Sequence, residues 1–196
     1  MNYIGSKYKL APFLFETISK TAGDDLSQKV FCDLFAGTGI VGRTFKTQVK
    51  KVIANDVEFY SYVLNRNYIG NHKSISLEEK LEVLNNLKGK KGFIFSEYSE
   101  GGKQGRNYFS KENGQKIDAI RTQIEVWKKA GEINEDEYYF LLASLLESAD
   151  KVANTASVYG AYLKHIKKSA AKPLVLQPAL FEETKTRHEV FQQDSN

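Results

Sequence analysis

The sequence is poor in cysteine, histidine and proline. A single cysteine, Cys32, among 196 residues excludes an internal disulfide. The three histidines, His72, His165 and His188, stand far apart, with no cysteine or histidine partners at zinc-binding spacing, so no metal site is expected. No stretch approaches the roughly 20 apolar residues of a membrane span. Residues 1–20 also lack the apolar run and small-residue cleavage site of a secretory signal, so the expected compartment is the cytoplasm. Charge of one sign is also scarce: the net charge of +4 and pI near 8.9 are a mild basic excess, which fits a phosphate-bearing partner and many other proteins too. What is present, 41% apolar and 12% aromatic residues, is enough to bury a core in one domain, or one domain with a large insertion.

Residues 30–56 read as strand, turn, helix and strand. Val30 to Phe35 is a short apolar run, Gly37 to Gly39 breaks it, and Lys51 to Asn55 is a second run, the start of a parallel α/β sheet. Val57 to Tyr68 reads as helical. Ser76 and Glu79 have the spacing of a capping box ahead of a helix that carries Leu81, Leu84 and Leu87 and ends near Gly89. The composition of Lys88 to Gly114, rich in glycine, lysine, serine and tyrosine, predicts a long surface loop or ribbon. Two helices follow. Ile117, Ile120, Ile124 and Trp127 share a face up to Gly131, which makes Trp127 a core residue; Tyr138 to Val152 repeat similarly after a cap at Asn134 with Glu137. Val158 to Lys168 is a basic segment, Pro173 to Pro178 a connector, and His188 to Phe191 a last strand. Cys32, alternating with strand residues, is expected to be a small buried side chain.

The segment Asp33-Leu34-Phe35-Ala36-Gly37-Thr38-Gly39 sets glycines at a strand-to-helix turn, where missing side chains let backbone amides approach a ligand. Gly37, Gly39 and Gly42 also satisfy the dinucleotide fingerprint, and Asp56 follows at about the 20 residues at which an acid reaches a ribose hydroxyl. Spacing alone leaves two cofactors open. Asp33 tips the balance, because its carboxylate would repel a pyrophosphate and attract a ligand carrying an amino group, as S-adenosylmethionine does.

Tyr3-Ile4-Gly5-Ser6-Lys7 with Leu10, then Asp33 to Gly39, then Ala54-Asn55-Asp56, resembles the ordered motifs of the Dam-like, adenine-specific DNA methyltransferases that begin with their cofactor-clamping motif. The resemblance implies an α/β protein: a partial Rossmann-like methyltransferase sheet with a largely helical target-recognition insertion. It divides the chain into a cofactor-binding part (1–72), a DNA-recognition insertion (73–172) and a return to the α/β part (173–196). For S-adenosylmethionine it implies that Tyr3 makes an aromatic contact and Lys7 meets the carboxylate end. Asp33, Phe35, Gly37 and Gly39 hold the methionine portion, Asp56 takes the ribose hydroxyls, and Asp194, in a third motif, lies near the adenine.

The same family carries an Asp-Pro-Pro-Tyr or Asn-Pro-Pro-Tyr element after the third motif, and here Pro12, Pro173 and Pro178 are all isolated. The chain therefore resembles the front part of such an enzyme. The adenine amine is a poor nucleophile whose hydrogens must be accepted by a side-chain oxygen and a backbone carbonyl, so no catalytic residue is assigned and negligible activity is expected of this chain alone. In that fold the first strand is central, so Val30 to Phe35 would become an edge that invites a second polypeptide or self-association. The implied partner is double-stranded DNA, methylated site-specifically as in restriction–modification. Candidate DNA contacts are Lys103, Arg106, Asn107, Tyr108, Asn154, Tyr159, Lys164, Lys167 and Lys168, each with a bland alternative as part of a solvated face or loop. Two other readings stand beside this one: a non-catalytic DNA-binding remnant, and an NAD-dependent oxidoreductase resting on Gly37, Gly39, Gly42 and Asp56.

Overall fold

The two apolar runs beside the glycine turn form adjacent parallel strands, β1 (Val30–Asp33) and β2 (Lys51–Asn55), in a computed structural model that describes residues 7–23, 25–156 and 161–195. A third strand, β3 (Glu189–Phe191), pairs in parallel with the far side of β2, giving the order β1-β2-β3. The chain divides into two compact units: one runs to Ile75 and resumes at Leu180, the other is Ser76–Ala179.

In the first unit a 3-10 turn (Tyr8–Leu10) leads into α1 (Ala11–Ala22), where Pro12 sits in the first turn, the place where a missing N–H costs nothing. Helix α2 (Ile40–Phe45) connects β1 to β2, and α3 (Phe59–Asn65) runs on into a π-helical turn, Arg66–Gly70. The apolar side of this unit is built from Phe45, Val52, Ala54 and Ile69, with Phe31 stacked on Phe45 at 4.3 Å and Phe15 tilted against it at 5.2 Å. Side chains alternate along β1, so the residues on either side of Phe31 face the other way. Val30 and Cys32 are exposed. The expected burial of Cys32 is therefore corrected: β1 is an edge strand, and its Cys32 face is left open by the described residues.

The second unit holds α4 (Glu78–Asn86), α5 (Phe93–Tyr98), α6 (Lys111–Ala130) and α7 (Glu135–Lys151). Leu84, Ile117, Ile120, Ile124, Trp127, Phe140, Leu141 and Leu145 form its interior. The Asn134–Glu137 capping box is present, with both reciprocal bonds made at 3.0 and 2.8 Å, and α6 ends at Gly131 in the left-handed conformation. The box expected at Ser76 does not form. Helix α4 starts at Glu78, and the Ser76 hydroxyl donates to the Glu78 carboxylate instead of accepting a backbone N–H. At the other end, Lys116 Nζ donates to the carbonyls of Asn85 and Leu87 and stops the helix before Gly89.

The loop predicted over Lys88 to Gly114 contains α5 and is tightly held. The Asp118 carboxylate accepts the backbone N–H groups of Gly92, Ile94 and Phe95 at 2.8–3.0 Å, an N-terminal cap supplied from another helix. A Cβ on Gly114 would lie 1.8 Å from Ser99 Oγ, and one on Gly102 would lie 2.3 Å from the Phe95 carbonyl, so these glycines permit close approach rather than looseness. No helix forms over residues 161–168; Thr155 and Tyr162 make an isolated antiparallel bridge instead.

Candidate functional site

The glycine turn leaves β1 at its carboxyl end, where parallel α/β sheets bind their ligands. Gly37 (φ +53°) and Gly39 (φ +76°) are both left-handed. The space above Gly37 is open, with nothing within 4 Å of where a Cβ would stand, whereas a Cβ on Gly39 would meet Asn65 Oδ1 at 2.5 Å. A Cβ on Gly42 would meet Ile69 at 2.7 Å, so the third glycine of the fingerprint serves packing between α2 and the π-helical turn.

Two carboxylates flank this turn. Asp56, one residue beyond β2, accepts the Gly37 N–H on Oδ2 at 2.7 Å and the Glu58 N–H on Oδ1 at 2.9 Å, which ties the two strand ends together. Asp33, the last residue of β1, accepts the Phe35 N–H at 3.3 Å. Burial pushes the Asp33 carboxyl above its usual range, against the pull of the Phe35 N–H and of Lys7, and nearby Asp56 adds to the rise. A half-buried acid beside a second acid and a single lysine is a setting that gains from a bound cation.

The structure thus brings Lys7, Asp33, Phe35, Gly37, Gly39 and Asp56 to one end of the sheet; Tyr3 lies outside the described residues. Asp194 arrives there too, on a segment clamped by Asn55: the Asn55 carboxamide donates to Gln193 O at 2.9 Å and to Ser195 Oγ at 2.7 Å, and accepts the Gln193 N–H at 3.0 Å. Ser195 Oγ also donates to Leu34 O at 3.0 Å. Around these groups Leu34, Phe35, Val57, Phe59 and Phe191 are exposed.

Two positioning roles had no sequence signal. Asn55 stands in the Ala54-Asn55-Asp56 motif, but nothing in the motif gives it a role of its own. Asn65, only 1% exposed, donates to Gly37 O at 3.0 Å and Ser61 O at 2.8 Å, holding the turn from beneath. Its Oδ1 is buried without a partner, facing the Gly39 Cα.

The candidate DNA contacts lie in the second unit. Lys103, Arg106, Lys164 and Lys168 are exposed, Tyr108 is half-buried, and Asn107 donates to the Lys164 carbonyl at 3.0 Å. Lys167 sends its ammonium inward to the Thr155 carbonyl. Asn154 is fully buried, and its carboxamide donates to the carbonyls of Asn107, Leu163 and His165 and accepts the Lys167 N–H. Tyr159 lies outside the described residues. Among the described residues no cluster of three or more metal-ligating side chains occurs, and no helix is long and apolar enough to cross a membrane.

A small parallel sheet with helices, a glycine turn and two acids at its carboxyl end makes this a mixed α/β protein. Residues 3–196 match the family of D12 class N6 adenine-specific DNA methyltransferases, and the chain belongs to that family. It is 64% identical over 197 residues to the Type II methyltransferase M.NlaIII of Neisseria lactamica and 42% identical over 199 residues to M.CviAII of Paramecium bursaria Chlorella virus 1; all of this chain is covered in each case, and 59% of the relative. The modification methylase StsI of Streptococcus sanguinis is 37% identical over 207 residues, which are 31% of its length. The chain thus spans 59% or less of these curated relatives. No solved structure gives a significant match. Enzymes of such families take their methyl group from S-adenosylmethionine and act on DNA.

Proposed function

We propose that this chain binds S-adenosylmethionine at the carboxyl ends of β1 and β2 and serves site-specific methylation of the exocyclic amine of adenine in double-stranded DNA. The observation that carries the proposal is the convergence of Asp33, Asp56 and Lys7 on an open glycine turn. The residues fit the cofactor chemically. Asp33 would accept the ammonium, and the rise in its pKa is what such a cation would relieve. Lys7 would meet the carboxylate. Asp56 uses one lone pair on each oxygen for backbone N–H groups and keeps the others for two ribose hydroxyls. The exposed apolar side chains around the turn, with Asp194 on its clamped segment, would line the adenine. When bound, the cofactor supplies an electrophilic methyl group on its sulfonium.

On this reading β1 to β3 form part of a Rossmann-like methyltransferase sheet, 1–72 and 173–196 make the cofactor part, and 73–172 recognise the target. These residues contain no adjacent prolines, so the element that accepts the hydrogens of the adenine amine comes from outside them and the chain alone transfers no methyl group. Among the described residues nothing pairs with the outer edge of β1, and that edge, with exposed Val30, supports addition of a further polypeptide segment or a second copy there. Sedimentation of a lone, soluble monomer at micromolar concentration would argue against that addition.

Calorimetric titration tests the cofactor: S-adenosylhomocysteine should bind and NAD should not, and Asp56→Ala should abolish binding. Retained affinity in Asp56→Ala would overturn the ribose assignment, and tight NAD binding would overturn the cofactor.

A further inference from the structure

In the second unit four aromatic rings form a continuous row on the surface: Phe93 and Tyr98 at 5.8 Å between centroids, Tyr98 and Tyr108 at 5.8 Å, and Tyr108 and Tyr162 at 5.1 Å, each pair edge-on or tilted. The two end rings are the open ones, Phe93 at 67% and Tyr162 at 37% exposure. Buried rings need no explanation beyond packing, but a large apolar ring left two-thirds in water at the end of such a row is a surface seeking a partner.

The row is rigid. Phe93 opens α5, whose first N–H groups are held by Asp118; Tyr108 is anchored by the Asn154 N–H donating to its carbonyl at 2.7 Å; Tyr162 is carried by the bridge to Thr155. Each end ring packs against a fixed neighbour, so little rotamer freedom is left to lose on binding.

The segments that carry the rings are basic. The Arg106 guanidinium lies 5.7 Å from the centre of the Tyr98 ring. From Lys88 to Lys111 the sequence carries six basic residues against two acids, and from Ala161 to Lys172 four lysines and no acid. Aromatic faces among cations match the chemistry of a nucleic acid, whose bases offer π-faces and whose backbone offers regularly spaced negative charge.

We propose that this ring row is a base-stacking platform: Phe93 and Tyr162 stack on bases of the bound DNA while Arg106, Lys103 and Lys164 contact its phosphates. The inference rests on the DNA-binding reading above and adds the mode of contact and the rings that make it. The bases come either from a single strand or from a duplex opened locally.

The test is fluorescence anisotropy of the full chain with a labelled mixed-sequence single strand and with the same sequence as a duplex, across a salt series. Phe93→Ala and Tyr162→Ala should each weaken binding about tenfold with an unchanged salt slope, as expected for loss of one stacked base. Tyr162→Phe should bind like the parent, and Arg106→Ala should lower the salt slope by about one while the rings still contribute. Loss confined to the single strand assigns the platform to unpaired bases, and equal loss on the duplex assigns it to bases exposed on binding. Phe93→Leu, which keeps an apolar side chain and removes the ring, covers the case in which the alanine variant fails to fold. Ring variants that bind like the parent while Arg106→Ala binds weakly would overturn the platform and leave DNA binding intact. No salt-sensitive binding of either probe by the parent would overturn both.

Discussion

Alanine at Gly37 and at Gly39 should do opposite things, and the difference follows from what lies beneath the turn. Both glycines are left-handed, so either alanine adds backbone strain of about 1–2 kcal/mol. At Gly37 that is the whole cost to the fold, since nothing lies within 4 Å of the added methyl. At Gly39 the methyl would meet Asn65 Oδ1 at 2.5 Å and Cγ at 3.2 Å, with Ile69 Cδ1 at 3.5 Å behind them. Asn65 cannot swing aside without breaking its bonds to Gly37 O and Ser61 O, so overpacking adds roughly 1–3 kcal/mol more. Urea unfolding should therefore show Gly39→Ala less stable than Gly37→Ala by about that amount. Adding Asn65→Ala to Gly39→Ala should cost less than Asn65→Ala alone, a coupling that a double-mutant cycle resolves. Ligand binding should invert the order relative to stability: Gly37→Ala fills the open space over the turn and should weaken S-adenosylhomocysteine far more than it weakens the fold. Equal stability of the two alanine variants, or no coupling with Asn65, would refute this account of the turn.

The pKa directions give two further expectations. Because burial raises the Asp33 pKa, affinity for an ammonium-bearing cofactor should fall on acidification beginning above the usual carboxylate range, and Asp33→Asn should lose both affinity and pH dependence; calorimetry showing a flat profile would remove Asp33 from the ammonium site. The His188 imidazole is held below its ordinary value of 6.5 by burial first and the Lys46 charge second, while its Nδ1 accepts the Val52 N–H at 2.9 Å. The unfolded chain then binds the extra proton more readily, so this contribution to stability is complete above about pH 6.5 and is lost as pH falls below it towards the lowered folded value. His188→Asn, which keeps an acceptor without the titration, should flatten that part of the denaturation profile, and an unchanged slope would point to other groups. Asp118→Ala should strip three backbone N–H groups of their acceptor and destabilise the second unit by about 3 kcal/mol, with faster hydrogen exchange at Gly92, Ile94 and Phe95 as its signature.

What was legible in the sequence is what periodicity and local caps encode. The i, i+3, i+7 spacing from Ile117 to Trp127, the Asn134–Glu137 box and strand β2 appear at the residues where pattern puts them. Ser76 shows the limit of a local rule: the cap pattern is present, but Glu78 captures the hydroxyl before the backbone can. Cys32 shows another, because alternation tells which residues share a face and not whether that face is covered. Glycine misleads between Lys88 and Gly114 for a related reason. The same composition serves a loose loop and a segment whose backbone must touch Ser99 and Phe95, and the cap that fixes the segment comes from Asp118, more than 20 residues away.

The side chains that hold irregular backbone in place share one chemical type, and the reason is general. A carboxamide carries both a donor and an acceptor, so a buried asparagine can stand in for a peptide unit of a neighbouring strand. Asn55 does this for residues 193–195, Asn65 supports the Gly37 carbonyl, Asn113 holds Ala170, Lys172 and Leu174, and Asn154 holds the backbone around Asn107 and from Leu163 to Lys167. Each of these segments is irregular and has no ladder partners, and buried backbone groups must be paired. Ligand-contacting backbone is irregular for the same reason, since a regular strand or helix has already committed its N–H and C=O groups. The turn at Gly37, the Asp194 segment and the loop carrying Arg106 to Tyr108 are therefore held by side chains rather than by secondary structure. Which asparagine does the holding depends on contacts between residues as much as 140 positions apart, as between Asn55 and Ser195, and so emerges only when the chain is folded.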